Sequence, residues 1–238
     1  MSPSQGAAEL SASRDQLKAF IEGLAERKPG RCVFNQYSYE NPGNTVRREN
    51  LLLYLRQMTE LNPKMLLVGE APGYRGCRLT GVPFTSEYIL LNGVDRFGLF
   101  GESRGYRKSV EFERTWKEPT ATIVWGALRE MRVAPLLWNA FPFHPFRDGD
   151  EQSNRSPGKS ELELGKLFLK ELLRIFDIER VIALGNKAEV AVRDIGVACR
   201  KLRHPAHEGK LEFGRGLGEV SGGYRHQPRL NRYPQIEL

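Results

Sequence analysis

Apolar residues at Leu17, Phe20, Ile21 and Leu24 recur at helical spacing, which predicts a helix from Arg14 to about Arg27. Further helices are predicted over LLLYLRQMTEL (51–61) and PTATIVWGALREM (119–131), with a long amphipathic one over SELELGKLFLKELLRIF (160–176). Between them lie short continuous apolar runs rather than alternating ones: KMLLV (64–68), APLLW (134–138) and ERVIAL (179–184). Such runs suit parallel strands buried on both faces. A last short strand is predicted in VACRKL (197–202), after the turn and helix of GNKAEVAVRDI (185–195). Strands alternating with helices imply an α/β fold: a three-layer α/β/α sandwich around a central, mainly parallel four-stranded sheet.

The small, polar start, residues 1–13, is expected to be disordered, and the basic tail 221–238 to be loosely attached. No repeat or linker divides 14–220, which reads as one domain. Ligands of such sheets bind outside the carboxyl ends of the strands. Three unusual loops follow strands here: GEAPGYRGCRLTGVPF (69–84), NAFPFHP (139–145) and RHPAHEG (203–209). They should converge on one site.

At 238 residues the chain is long enough for a full core. No apolar run approaches the ~20 residues of a membrane helix, and the first residues lack the basic-then-apolar pattern of a secretion signal. A cytoplasmic, monomeric protein without membrane contact is expected. The net charge of +7 favours polyanionic partners but does not identify one. Cys32, Cys77 and Cys199 are odd in number and widely spaced, which argues against a disulfide framework or a thiolate metal site.

Familiar motifs fail on inspection. GEAPG lacks the spacing of a dinucleotide loop, and SPGKS (156–160) has neither the leading glycine nor the preceding strand of a phosphate loop. LGNKA (184–188) serves equally as an anion-binding helix start or a plain turn. His204 and His207 have no convincing third metal ligand, so no metal is expected.

Taken in order, GEAPGYRGCRLTGVPF, LLWNAFPFHP, LGNKA and RHPAHEG resemble the motifs of the uracil-DNA glycosylase superfamily, over roughly residues 65–210. The first is similar to the family-four version, G-E-x-P-G followed by G-x-P-F. The resemblance implies an enzyme that flips uracil out of DNA and hydrolyses its N-glycosidic bond, with uracil-containing DNA as partner and free uracil as product. It implies that Gly69 and Gly73 line the uracil site, that Phe84 stacks on the flipped base and that Asn139 reads it. A side-chain amide offers a donor and an acceptor, which suits the carbonyl and ring N–H of uracil. His204 is implied to stabilise the leaving anion and Glu70 to hold the attacking water.

Two positions depart from the best-studied branch of that superfamily. Ala71 stands where that branch has an Asp, and Gly73 where it has the tyrosine that excludes thymine. The four cysteines that hold an iron–sulfur cluster in families four and five are absent, so no cofactor is expected. Beyond His204, the loop is expected to wedge the duplex with His207, Lys210 or Leu211, while Arg203, Lys210 and Arg215 contact phosphates. Two other readings stay open: a relative that binds bases or abasic sites without turnover, suggested by Ala71, and an α/β enzyme acting on free small molecules.

Overall fold

The apolar runs become the centre of the molecule. In a computed structural model, which describes residues 3–205 and 209–221, β2 (Met65–Gly69) and β3 (Leu136–Asn139) are buried at every position. Side chains are described from Arg14 onward, apart from those of Lys210 and Ser221. The first elements are α1 (Pro3–Ala25), the two-residue β1 (Val33–Phe34) and α2 (Thr45–Leu61). The helix α1 thus begins at Pro3, well before Arg14, where its apolar spacing starts.

Two short helices lie within and just after the glycine-rich loop: α3 (Cys77–Thr80) and α4 (Glu87–Asn92). Then come α5 (Pro119–Met131), β4 (His144–Pro145), α6 (Lys159–Ile175), β5 (Arg180–Leu184), α7 (Asn186–Arg193), β6 (Cys199–Leu202) and α8 (Lys210–Ser221). The main sheet has the order β3-β2-β5-β6 and every pairing in it is parallel. The three strand ends that carry the predicted loops, those of β2, β3 and β6, therefore lie along one edge.

Helices cover both faces. On one, α1 packs against α6 and α6 against α7; on the other, α5 packs against α8. Trp138 points to the first face, where its ring lies 5.4 Å from that of Phe20, which in turn meets Phe168 of α6. Strand alternation then puts the neighbouring Asn139 on the other face. The free edge of β3 is capped from α2: the Tyr54 hydroxyl accepts a hydrogen bond from Leu137 N–H at 2.8 Å. That contact satisfies a donor an edge strand would otherwise leave unpaired.

Part of the segment expected as a loop after His204 is helix. From Lys210 onward the backbone is helical, despite glycines at 214, 216 and 218. Phe213 and Leu217 are fully buried there, and a Cβ at Gly216 would come 2.6 Å from Leu202 Cδ2. The glycine that weakens the helix locally is what lets it lie against β6. Packing outweighs propensity. Lys210 and Leu211 are thus first-turn helical positions, with Leu211 85% exposed, and His207 lies outside the described residues. The tail 222–238 also lies outside them.

Candidate active site

β2 and β3 end side by side, with Gly69 the register partner of Asn139. The glycine has a steric reason. A Cβ there would lie 2.5 Å from Phe84 Cζ and 2.8 Å from Asn139 Oδ1. The ring of Phe84 and the amide of Asn139 therefore converge over a backbone position that has room for no side chain. Asn139 is only 5% exposed, yet its side-chain amide makes no hydrogen bond to the described residues. An amide so placed leaves its donor and acceptor to a ligand or to water.

Phe84 is held in an unusual conformation. Its φ is +53°, in the left-handed region that costs a non-glycine residue about 1–3 kcal/mol. Its carbonyl accepts a 2.8 Å hydrogen bond from Trp125 Nε1 on α5, which fixes the strained turn from below. Just beyond, Ser86 accepts from Ile89 N–H at 3.4 Å and starts α4. The ring is thus placed by backbone geometry on both sides.

Glu70 follows Gly69 directly. Its carbonyl accepts from Phe141 N–H at 3.0 Å, while the carbonyl of Gly69 accepts from Ala140 N–H at 2.8 Å. These bonds extend the β2–β3 ladder into the loops and hold GEAPG against NAFP. The Glu70 carboxylate accepts a 2.5 Å hydrogen bond from the Ser156 hydroxyl. Ala71 is partly buried and packs against the core, so no second carboxylate stands beside Glu70 in this loop.

Gly73 makes the next turn, its carbonyl accepting from Gly76 N–H at 3.1 Å and Arg78 N–H at 3.3 Å. Asn154 Oδ1 accepts from Tyr74 N–H at 3.0 Å. His144 is fully buried, with Nδ1 2.8 Å from the Pro72 carbonyl and Nε2 3.2 Å from the Glu151 carbonyl. Burial pulls its pKa below the ordinary histidine value, against the pull of the two carbonyls. A neutral ring donates only one proton, and the shorter contact assigns it to Pro72. His144 thereby ties the proline of GEAPG to the loop 147–153.

Sequence reasoning missed the segment 153–158. Arg155 binds the Phe146 and Cys32 carbonyls and pairs with Glu161 at 2.6 Å, and Lys187 of LGNKA reaches the Pro157 carbonyl at 3.4 Å. These contacts bring Ser156 to Glu70 across a separation of 86 positions. The polar, glycine-containing composition of 147–158 marked a loop, but nothing local marked its destination.

The remaining predicted residues lie after β6 and on α8. His204 follows β6 by two residues and is half-buried. Arg203, expected to meet phosphate, pairs with Glu212 of α8 at 3.1 Å, with both side chains exposed. Arg215 is exposed on α8. As for metals, the three cysteines are free and Cys77 is buried, its thiol pushed up to about 12 by burial. No three His, Cys, Asp or Glu side chains among the described residues gather as ligands would. The residues present do not fit an iron–sulfur cluster.

The model of the uracil DNA glycosylase superfamily matches residues 56–231, and the chain belongs to that superfamily. It is thus of the glycosylase-type hydrolase class whose members act on DNA. Among solved structures, the crystal structure of wild-type Pedobacter heparinus SMUG2 superposes with a TM-score of 0.65 at 14% identity, covering 90% of this chain and 99% of that one. This similarity shows a shared fold. No curated protein matches the sequence.

Proposed function

We propose that this protein is a uracil-DNA glycosylase that acts as a cytoplasmic monomer, flipping uracil from DNA and hydrolysing its bond to deoxyribose. One observation carries the reading: Phe84 and the unpartnered amide of Asn139 converge over Gly69 at the carboxyl edge of the sheet. A planar base fits between an aromatic face and an amide that offers one donor and one acceptor. Uracil O4 accepts from the amide N–H₂ while uracil N3–H donates to Oδ1. Cytosine presents the opposite pattern and is refused.

In the reaction, a water oxygen forms a bond to C1′ of the sugar as the N1–C1′ bond breaks. The bonding pair leaves with uracil and spreads over N1 and the O2 carbonyl. His204 donates an N–H toward O2, where negative charge grows in the transition state. Glu70, oriented by the Ser156 hydroxyl, holds the water and takes up its proton as the new C–O bond forms. The products are an abasic site and free uracil.

A second reading is favoured by Ala71: a relative that holds an extruded base or abasic site without turnover, because a single carboxylate must act alone. Incubating the pure protein with single- and double-stranded DNA containing uracil separates the two. Free uracil released in proportion to enzyme supports catalysis. Tight binding with no release, unchanged in Glu70→Gln, supports the second reading. Neither release nor binding excludes both.

A further inference from the structure

Three cations beside the candidate site lie on aromatic rings and have no carboxylate partner. Arg75 lies 5.0 Å from the ring centre of Tyr74 and 4.9 Å from that of Trp116. Arg114 covers Trp116 at 3.5 Å, and Lys117 lies 4.2 Å over Tyr88. All three are exposed, and none has a described hydrogen bond or ion pair. Other exposed arginines are taken up by carboxylates, as Arg31 is by Asp148, Arg200 by Glu219 and Arg203 by Glu212. An aromatic face holds a guanidinium flat while leaving its N–H edge outward, so the donors are ordered but unspent.

The patch is anchored to the site. The Glu87 carboxylate accepts from Trp116 N–H at 3.0 Å, and the Trp116 carbonyl accepts from Tyr88 N–H at 3.0 Å. Glu87 is fully buried and sits three residues after Phe84. Arg75 belongs to the same loop as Glu70 and Gly73, and the Glu118 side chain lies 3.3 Å from where a Cβ on Gly76 would stand. The indole N–H of Trp116 is shielded and without an acceptor. Glu113 is the one acidic residue within Phe112–Lys117, so the patch remains net positive.

We propose that Arg75, Arg114 and Lys117, layered on Tyr74, Trp116 and Tyr88, clamp successive phosphates of the DNA strand that carries the extruded nucleotide. The proposal rests on the glycosylase reading for the identity of the strand. It assigns phosphate contacts to the segment 112–117 and its neighbour Arg75, none of which the sequence singled out. Each phosphate contact on single-stranded DNA contributes about 0.7 to the slope of log affinity against log salt.

The test is binding of a fluorescein-labelled, thymine-only single strand across a salt series, which requires no catalysis. The triple variant Arg75→Gln, Arg114→Gln, Lys117→Gln should bind more weakly, with its salt slope reduced by about two units. A charge-matched control, Arg129→Gln, Lys170→Gln, Arg174→Gln, changes cations near the opposite, amino-terminal edge and should keep the wild-type slope. An unchanged slope in the triple variant, an equal loss in the control, or no salt-sensitive binding by the wild type overturns the clamp. Uracil release by a protein whose triple variant keeps the wild-type slope leaves the glycosylase reading standing without the clamp. A reduced slope in a protein that never releases uracil does the reverse.

Discussion

Gly69 and Asn139 are register partners at the carboxyl ends of adjacent parallel strands, and Asn139 Oδ1 occupies space where a side chain on Gly69 would begin. Sheet register, rather than loop conformation, therefore sets the height of the amide. The amide is thus built on strands closed to solvent along their length, β2 and β3.

Gly69→Ala should separate stability from function. The atoms its Cβ would meet, Phe84 Cζ and Asn139 Oδ1, are ends of side chains that can shift while the sheet stays intact. Overpacking should cost about 1–3 kcal/mol, read by chemical unfolding. A displacement of about 1 Å at the reading groups should lower uracil release about 100-fold.

Phe84→Gly should remove the ring and relieve the backbone at once. The residue sits at φ +53°, which glycine adopts freely. Relief of the backbone should offset only part of the packing the ring makes against the core, so stability should fall modestly, whereas loss of stacking worth about 1–3 kcal/mol should raise the KM for uracil-containing DNA roughly 5- to 150-fold. Thermal unfolding beside steady-state kinetics checks both halves.

Glu70 and Ser156 should behave as one unit. Glu70→Gln should lower kcat about 100- to 10,000-fold, and Ser156→Ala less. The double variant should be little worse than Glu70→Gln alone, because the hydroxyl acts through the carboxylate it bonds. Fully additive losses would show that Ser156 acts by another route.

Acid should weaken the loop junction through His144. Burial lowers its folded-state pKa, so the unfolded chain binds the proton more readily. The stability from the neutral ring is complete above the unfolded value of about 6.5 and declines as pH falls from there through the lower folded pKa. His144→Gln, which keeps a donor for Pro72, should lower stability at neutral pH and flatten its dependence between about pH 6.5 and the acid limb. Parallel pH profiles of Tm for the two proteins give the comparison.

The three central strands and the long helices were legible because each carries an apolar run or stripe, whereas β6, with Arg200 and Lys201 exposed, was read only from its place after a helix. The pairing of Val33 with Pro145 was not, since a two-residue strand shows no period. Neither was α8, whose glycines read as loop until Leu202 supplied a reason for close approach. In the site, the motif resemblance singled out Asn139 at the end of β3 and Phe84 at the end of the glycine-rich loop, and the fold brings the two together over Gly69. Ser156 was hidden because long-range contacts of Arg155 and Lys187 bring it to Glu70. The cations on aromatic rings were equally hidden: composition counts charges but does not tell which have partners.

Uracil release by the wild type, Asn139→Asp and His204→Ala, measured side by side on uracil-containing DNA, tests the central claim most directly. Wild-type protein should release uracil. Asn139→Asp should lose about 100- to 1,000-fold in kcat/KM, because a carboxylate has no N–H to offer O4. His204→Ala should lose kcat with KM nearly unchanged, since the charge it meets exists chiefly in the transition state. Wild-type turnover in both variants, or no uracil released by the wild type, would contradict the account.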